Sequence, residues 1–528
     1  MSAALAGAAG GPRLILGVPA RRFAGFLVMV LGMFMAVLDI QIVSASIGEI
    51  QAGLAAAPDE ASWVQTSYLI AEIVMIPLSG FLSRLLSTRV LFTVSAAGFT
   101  VFSFLCAFAT SLPMMIVGRA AQGFLGGAMI PTVFASAFLL FPPERRAVVS
   151  VVIGLTATLA PTIGPTLGGL LTEALSWHWL FLINVPIGAF IAATVWATMD
   201  MDRGDRSLLA RFDWWGLAGM AVFLGCLEYV MEEGPRNGWL EDEAILLFSA
   251  LCVAGGVLFF WRAFAARQPI VELRAFANRN FALGCLFSFI MGIGLYGSVY
   301  LIPLFLGRVR GFNSLQIGET MFVTGLAMFL AAPVVGRLAQ RLDVRLLLAG
   351  GLGLTGLAVW WTARLTAQSG FGELWLPLAL RGAGTMMTMV PVNQVALGTL
   401  PPAMVKNASG LYNLMRNLGG AVGLGLINTL AQDRTAFHRR HLVEGVTWAR
   451  DSVVAGLDGI AAALAPRLGE VAAQQAALKR LHDMVMREAT VLAYNDILHA
   501  MALLFLGAVP LVLLLRRPQA AGGGAEAH

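Results

Sequence analysis

The chain has 528 residues, of which 58% are hydrophobic and 12% are charged. Soluble domains carry about 25% charged residues, so this composition excludes an ordinary soluble domain and predicts an integral membrane protein. The formal net charge is +5, but the cations are not gathered on one basic face, and we therefore expect no nucleic-acid binding.

Apolar segments long enough to cross a bilayer recur along nearly the whole chain. A helix needs roughly 20 apolar residues to cross about 30 Å of hydrocarbon. The sequence predicts fourteen such spans and an all-α integral membrane fold. In chain order they lie at 23–47, 62–82, 90–110, 113–137, 147–171, 178–198, 213–231, 244–262, 281–304, 316–336, 346–364, 374–397, 409–430 and 496–515.

The distribution of Lys and Arg outside the spans predicts their orientation. With the N-terminus inside, 20 of these cations fall on the inside and 4 fall in the short outside loops. Short cytoplasmic loops are enriched in Lys and Arg, so we expect both termini in the cytoplasm. The long outside loop 431–495 carries the remaining 8 cations, and long loops are exempt from this rule.

A weak internal repeat divides the chain into two related parts. The segment GFLSRLLSTRVLF at 80–92 lines up with GRLAQRLDVRLLL at 336–348, with Gly, Leu and Arg at matching offsets. This pairs spans 1–6 with spans 9–14 and leaves spans 7 and 8 as an insertion. Transporters built from duplicated halves bind their substrate between the halves. The predicted units are a cytoplasmic tail at 1–22, a six-helix bundle at 23–198, a linker with two extra spans at 199–280, a second six-helix bundle at 281–515 that includes loop 431–495, and a cytoplasmic tail at 516–528.

Charged residues inside the spans are the first candidates for function, because a charge at the centre of a span costs roughly 2.5–3.5 kcal/mol. Three acids and three arginines stand there, and they can neutralise one another in part. They are Asp39, Glu72, Arg119, Glu228, Arg381 and Arg416.

Asp39 in span 1 is a candidate proton-coupling group, since a carboxyl group in low dielectric can load and release a proton. Arg119 in span 4 keeps its charge and needs a carboxylate, carbonyl groups or water as partner. If Arg119 faces Asp39, protonation of Asp39 weakens the pair and biases the conformation of the protein. A purely structural ion pair is the alternative.

The other two acids within the spans are weaker candidates. Glu72 in span 2 is either a second proton site or a partner of Arg119, and for Glu228 we favour a structural or snorkelling role.

Polar residues within the spans of both halves are candidates for a cavity. Arg381 and Arg416 are followed by small residues that allow close helix approach, and they either orient substrate or lock helices together. The amides that could add hydrogen bonds to a cavity are Gln122, Asn184, Asn393, Gln394 and Asn413.

Span 5 contains Gly164, Pro165, Gly168 and Gly169 within one and a half turns. Proline bends a helix, and glycines let a neighbouring helix pack at short distance. We expect a hinge or a tight seal between the two halves here, with simple packing as the alternative.

The loop at 431–495 is predicted to contain an amphipathic helix that begins at Leu468 and leads into span 14. Its apolar positions must cover something outside the membrane, either a periplasmic partner or the carrier itself as a cap. The histidines of this loop are too scattered to predict a metal site.

Four motifs resemble those of the drug:proton antiporters of the major facilitator superfamily, in particular the fourteen-helix EmrB/QacA group and its EmrB-like members. VLDIQIV is similar to the LDxTIV signature, with Gln41 in place of Thr, and RAAQGFLGGAMIP resembles the R-x-x-Q-G motif of span 4. APTIGPTLGG resembles the antiporter motif GPxxGG, and WHWLFLINVPIG resembles the signature that follows it. The resemblance covers nearly the entire chain.

The resemblance implies a major facilitator fold of two six-helix bundles plus two inserted helices. It implies that Asp39 and Arg119 are the proton-linked acid and arginine, and that Gly164, Pro165, Gly168 and Gly169 form the antiporter helix. It also implies a periplasmic adaptor protein and an outer-membrane channel as partners. The cytoplasmic loop motif departs from the family, because Arg84 stands where the family has Asp and Ser87 where it has Gly. The charge interlock of that loop is therefore in doubt.

These observations predict a secondary transporter rather than an enzyme: a proton-coupled exporter of lipophilic drugs or toxic small molecules in the bacterial inner membrane, driven by the proton gradient without a cofactor. The alternative within transport is a proton-coupled importer of a small metabolite. A membrane-embedded enzyme would need a clustered acid, base or metal set, and a scaffold would not need six buried charges.

Overall fold

The computed structural model describes residues 14–57 and 60–516, which are mostly helical. Most of the two predicted tails, 1–13 and 517–528, lies outside the described residues. The helices are α1 Ala20–Ala45, α2 Ile47–Gly53, α3 Trp63–Leu86, α4 Thr88–Ala107, α5 Leu112–Gly126, α6 Met129–Leu140, α7 Pro143–Ala174, α8 Trp179–Leu182, α9 Asn184–Thr198, α10 Trp214–Glu233, α11 Glu243–Ala265, α12 Arg279–Arg308, α13 Ser314–Arg341, α14 Val344–Thr362, α15 Phe371–Leu397, α16 Pro402–Glu444, α17 Asp451–Leu468 and α18 Glu470–Ala508. The other elements are the paired strands β1 Leu14–Ile15 and β2 Val18–Pro19 and the 3-10 helices Arg206–Arg211, Trp239–Glu241, Leu273–Ala277 and Pro510–Leu514.

Every predicted span falls on a helix, and spans 4 and 6 are each formed by two consecutive helices, α5 with α6 and α8 with α9. Within the described residues, 12 helical segments are long and apolar enough to cross a membrane. The helices of spans 12 and 13, α15 and α16, fall outside this set although they have 27 and 43 residues. Each carries a buried arginine and at least two amides, which lower its mean hydropathy. Fourteen spans therefore stay a prediction with which the helix pattern agrees.

The helices pack as two bundles with an inserted pair beside them. In the first bundle, α1 packs on α7 and α9, and α3 packs on α5. In the second, α12 packs on α16, and α14 packs on α15 and α18. The inserted helices α10 and α11 pack on each other, and α10 also contacts α3 and α16. The bundles meet along two seams, α7 with α13 and α3 with α16.

Both described chain ends lie on one side of the molecule, which we call the terminal side; the opposite side is the far side. Arg21 near the start of α1 donates to the Ala197 carbonyl near the end of α9. Arg516 exchanges two main-chain hydrogen bonds with the Asn280 side chain at the start of α12, at 2.9 and 2.8 Å. The turn after α9 and the start of α16 meet through the ion pair of Asp202 with Lys406, which places these ends on the same side.

The two bundles are closed against each other on the terminal side. The Lys406 ammonium donates to the Ser83 carbonyl at 3.0 Å, and the Ser409 hydroxyl donates to the Pro131 carbonyl at 2.5 Å. A Cβ atom added to Gly80 of α3 would lie 2.7 Å from the Cα atom of Asn407. The backbones of α3 and α16 therefore cross in direct contact here, which leaves no passage between them.

On the far side, α10 lies between α3 and α16. Trp63 at the start of α3 stacks on Tyr229 of α10, with the ring centroids 5.5 Å apart. The Trp239 indole, just after α10, donates to the Thr429 hydroxyl of α16 at 3.0 Å, and the Gln432 amide donates to the Pro235 carbonyl at 3.2 Å. The inserted helix thus fills the side opening that α3 and α16 would otherwise leave.

Helices α16 and α18 are too long for a bilayer. Their 43 and 39 residues correspond to about 64 and 58 Å, against about 30 Å of hydrocarbon, so both continue well beyond the membrane on the far side. Arg434 and His438 of α16 both contact the Asp496 carboxylate of α18, at 2.6 and 2.7 Å. The helix predicted from Leu468 begins at Glu470 and runs without a break into span 14.

The terminal-side loop after α3 has a charge interlock, with partners that the family motif does not specify. Arg84 forms an ion pair with Glu272 at 2.7 Å. Asp202 accepts hydrogen bonds from the Thr88 amide and hydroxyl, at 3.1 and 3.0 Å, and pairs with Lys406. The acids that the loop lacks are thus supplied by the segments after α9 and before α12.

Ser87, which occupies the position of the family's glycine, has φ 87° and ψ 154°. This backbone region is essentially restricted to glycine and costs a residue with a side chain about 1–3 kcal/mol. The Ser87 hydroxyl recovers part of that by accepting a hydrogen bond from the Val90 amide at 3.3 Å.

We expect Ser87→Gly to stabilise the protein by about 1 kcal/mol, because relief of the strained backbone exceeds the few tenths lost when glycine replaces a serine cap. Thermal unfolding of the purified protein in detergent measures this as a higher Tm. Ser111→Gly is the matched control, since Ser111 also precedes a helix but has φ −149°. A Tm that falls equally in both variants would contradict the assignment of strain to Ser87.

Candidate functional site

A fully buried ion pair lies in the core of the first bundle. The Arg119 Nη1 atom of α5 donates to the Asp39 Oδ2 atom of α1 at 2.5 Å. Both side chains have no exposed surface. Among the described residues, no other ion pair has both partners fully buried. The contact that the sequence left open between span 1 and span 4 is therefore present.

Two amides complete the hydrogen bonds of the Asp39 carboxylate. Its Oδ1 atom accepts from Gln122 Nε2 at 3.1 Å and from Asn184 Nδ2 at 2.7 Å. Asn184 also donates to the Ser103 hydroxyl of α4 at 3.1 Å, and Ser103 donates to the Phe181 carbonyl at 2.9 Å. A buried carboxylate is stabilised in its charged form only when its oxygens are satisfied in this way.

The sequence predicts Gln122 and Asn184 as cavity residues. In the structure, both instead donate hydrogen bonds to Asp39, the candidate proton site. Gln122 lies one helical turn after Arg119 and accepts from Arg119 Nη1 at 2.7 Å. Ser103 carries no sequence signal of its own, because a lone serine in an apolar span is common. Only the packing of α4 against α9 reveals its part in the network.

The Arg119 guanidinium is held on several sides but keeps one nitrogen free. Its Nε atom donates to the Val64 carbonyl at 3.1 Å, and its carbon atom Cζ lies 4.3 Å from the centre of the Tyr68 ring. Within the described residues, its Nη2 atom has no hydrogen-bond partner. The guanidinium can therefore form a new hydrogen bond if the pair with Asp39 is broken.

The glycine-rich part of α7 packs directly on α1, next to Asp39. A Cβ atom added to Gly168 would lie 2.6 Å from the Ile42 carbonyl oxygen, so a side chain larger than hydrogen cannot fit without a shift. Gly164 meets Gln41 in the same way, and Pro165 lies inside the helix between them. The α1 residues at this seam follow Asp39 by two and three positions.

The other two buried acids stand apart from this pair. Glu72 of α3 forms no ion pair within 4.0 Å among the described residues, and its Oε1 atom has no hydrogen-bond partner. Glu228 of α10 is likewise buried with an unpartnered Oε2 atom, and it is near enough to Glu72 to interact electrostatically. Of the two alternatives for Glu72, a second proton site or a partner of Arg119, the ion pair with Arg119 is not formed in this conformation.

The candidate residues of the second bundle fall into two groups. Arg416 of α16 donates a hydrogen bond to the Asn413 side chain on the same helix. Its Cζ atom lies 4.9 Å from the centre of the Phe134 ring, across the contact between α6 and α16. Asn393 of α15 accepts from the Tyr412 hydroxyl, and Gln394 beside it is half-buried. Arg381 lies elsewhere on α15, where it borders a small closed cavity.

The arrangement defines a class of protein: a multi-pass membrane carrier with two helical bundles and a fully buried Asp–Arg ion pair at the core of one. The sequence profile of the Major Facilitator Superfamily matches residues 29–424. The chain belongs to the Major Facilitator Superfamily, whose members are secondary transporters and not enzymes, and within it the chain is EmrB-like.

Several characterised proteins are similar over nearly the whole chain. The colistin resistance protein EmrB of Acinetobacter baumannii is 43% identical over 94% of this chain and 96% of its own length. The fatty acid resistance protein FarB of Neisseria gonorrhoeae is 29% identical over 94% and 96%. The multidrug export protein EmrB of Escherichia coli K12 is 28% identical over 94% and 95%.

Solved structures support the same fold at lower sequence identity. The human organic anion transporter MFSD10 aligns with a TM-score of 0.56 at 15% identity, over 92% of this chain and 100% of that chain. A bacterial homologue of the human lysosomal transporter Spinster aligns with a TM-score of 0.52 at 15% identity, over 94% and 99%. These likenesses concern the fold alone.

We expect Arg119→Gln to destabilise the protein by about 3–5 kcal/mol, because it leaves the Asp39 carboxylate buried without its cation. The double variant Asp39→Asn with Arg119→Gln should recover much of the stability. Unfolding midpoints of the two single variants and the double variant give the coupling, and strictly additive effects would mean that the pair is not energetically linked.

Proposed function

We propose that this protein exports lipophilic drugs or toxic small molecules across the bacterial inner membrane in exchange for protons. The terminal side then faces the cytoplasm, which agrees with the excess of Lys and Arg on that side. The gradient supplies the energy, so no cofactor is needed. The names of the relatives, which describe colistin resistance, fatty acid resistance and multidrug export, support this class of substrate.

The observation that carries the proposal is the ion pair of Asp39 with Arg119. Asp39 is an acid with three hydrogen-bond donors on its carboxylate, in a position without access to water. Protonation would remove the charge that all three donors are oriented to meet. A single proton therefore changes the energy of one arrangement of this core relative to another, which is what coupling requires.

The contacts of α1 offer a route from Asp39 to the interface between the bundles. Gln41 and Ile42 are packed on Gly164 and Gly168 of α7 with no space for a side chain. Helix α7 in turn forms the long seam with α13 of the second bundle and also contacts α15. A movement of α1 after protonation would be transmitted to α7, because a seam without free volume cannot absorb it.

The contact between the bundles on the terminal side is consistent with an outward-facing conformation of the carrier. Asp39 lies six residues before the far end of α1, or about 9 Å, so its shortest path to water leads to the far side. In the proposed cycle, a proton enters from there and releases Arg119. The contacts of Lys406 and Ser409 then open toward the cytoplasm for the next substrate.

We expect Asp39→Asn to abolish substrate-dependent proton release from liposomes with an imposed pH gradient, because asparagine mimics the protonated acid permanently. Asp458→Asn in the exposed helix α17 is the control and should behave like the unaltered protein. Unchanged flux in Asp39→Asn would assign the coupling to another acid such as Glu72. Protons that move in the same direction as the substrate would indicate import instead of export.

The far-side extension of α16, α17 and α18 is the proposed contact for a periplasmic adaptor protein that leads to an outer-membrane channel. Large apolar side chains stand exposed there, beyond the length needed for the bilayer, with Trp448 and Val471 each 73% exposed. Exposed apolar groups outside the membrane are typical of interaction sites. The ion pairs of Asp496 with Arg434 and His438 hold the extension in a fixed direction.

We expect Val471→Asp to reduce drug resistance in cells while proton flux in liposomes stays normal, because docking and transport use different parts of the chain. Gln475→Asp places the same charge at an exposed polar position of α18 and serves as the control. Full resistance in Val471→Asp cells would contradict adaptor docking at this surface. Loss of flux in liposomes would show instead that the extension acts on transport itself.

A further inference from the structure

The six charges inside the membrane are compensated very unequally. Asp39 and Arg119 neutralise each other, and Arg416 is held by Asn413 and by the faces of two aromatic rings. Within the described residues, Arg381 has no carboxylate within 4.0 Å and does not lie over an aromatic ring.

The immediate surroundings of Arg381 form an unfinished site for a negative charge. The side chain is 6% exposed, and its Nη2 atom donates to the Thr324 hydroxyl at 3.1 Å. Its Nε atom has no partner within the described residues. The guanidinium borders a closed cavity of about 20 Å³, room for one water molecule, whose polar lining includes Thr162, Ser298 and Thr385. An arginine cannot shed its charge, so burial without an anion is costly unless one arrives during function.

A second space, the lateral groove, lies next to this cavity. It occupies about 740 Å³ between α7 and α13, and Thr162 lines both spaces. Its walls are almost wholly apolar, with Leu167 and Leu170 on one side and Phe322 and Leu326 on the other. Such a volume is within the range of sites that hold drug-sized ligands. Val323 of the groove and Thr324 of the Arg381 cavity are consecutive residues, so a thin wall separates the two.

We propose that Arg381, with Thr324 and Thr162, is the head-group subsite for an amphipathic organic anion, and that the lateral groove holds its apolar tail. A long-chain carboxylate has the required chemistry: one charge for the guanidinium and a flexible chain for the groove. This inference rests on the proposed export function and names its substrate class.

The charges around the groove favour one orientation of the anion. Glu319, an exposed acid, lines the groove five residues before Thr324 on α13, or about 7 Å along the helix axis. An anionic head group is repelled there and attracted to Arg381. The cavity has room for only one water-sized molecule in this conformation, so the head group enters when α7 and α13 separate during transport.

Binding of a fluorescent long-chain carboxylate to the purified protein in nanodiscs, without a pH gradient, tests the proposal. In the unaltered protein, dodecanoate should displace the probe at least about tenfold better than dodecyltrimethylammonium, which has the same tail and the opposite charge. Arg381→Gln should weaken the binding of dodecanoate by about 10- to 100-fold, which corresponds to the usual contribution of a hydrogen bond to a charged group. Arg381→Lys should restore part of the affinity, and Glu319→Gln should leave it unchanged or raise it.

Three results would overturn the proposal: equal displacement by the anion and the cation in the unaltered protein, unchanged affinity in Arg381→Gln, or displacement by phosphatidylglycerol as effective as by dodecanoate. The last would assign the groove to a bilayer lipid. The comparison of dodecanoate with dodecyltrimethylammonium needs no variant, so it tests the preference for an anion even if Arg381→Gln does not fold. Carboxylate binding that persists in Asp39→Asn while transport is lost would separate this site from proton coupling, so either proposal can fail alone.

Discussion

Removal of a guanidinium from water is the constraint around which the first bundle is organised. Arg119 cannot become neutral, so its burial requires a carboxylate at contact distance and further donors that stabilise that carboxylate. Asp39 on α1, Asn184 on α9 and Ser103 on α4 supply these, while the Val64 carbonyl of α3 receives the remaining contact. Five helices are thereby fixed in register by one charge. Because the same register seats Gln41 and Ile42 against the glycines of α7, a change at the ion pair cannot remain local.

The inserted helices make the two sides of the carrier different. Pseudo-symmetric bundles have two lateral seams, here α3 with α16 and α7 with α13. Tyr229 of α10 and Trp239 in the segment after it fill the far half of the first seam, whereas the second seam keeps an open apolar groove. Within the described residues, a lipophilic molecule in the bilayer therefore meets the apolar groove between α7 and α13 on the far side, whereas the opening between α3 and α16 is filled. The insertion thus has a physical consequence beyond the length of chain it adds, and it also brings the buried Glu228 within electrostatic reach of Glu72.

The loop after α3 illustrates how a structural function survives the loss of its motif. The family's aspartate is replaced by Arg84 and its glycine by Ser87, yet charges still join α3, the segment before α12 and the start of α16. Each of these ion pairs is partly exposed and contributes little stability by itself. Their value is positional, since they cross between the bundles on the side where the bundles are closed. Ser87 keeps the backbone conformation that favours a glycine at this position, although it carries a side chain.

Local properties of the sequence were sufficient for much of this protein. Apolar length placed every span on a helix, the repeat at 80–92 and 336–348 predicted two bundles, and the cost of intramembrane charge singled out Asp39, Arg119 and Arg381. Hydropathy and helical period are properties of short segments, which is why they can be read without a fold. The tertiary structure alone decided which charges meet. Asp39 and Arg119 are 80 residues apart and Asp39 and Asn184 are 145 apart, and no local signal distinguishes a paired arginine from an unpaired one. The structure likewise places Gln122 and Asn184 at the ion pair and not at a cavity, and it gives Arg381 no carboxylate partner among the described residues, because compensation of a buried charge depends on which helices pack together.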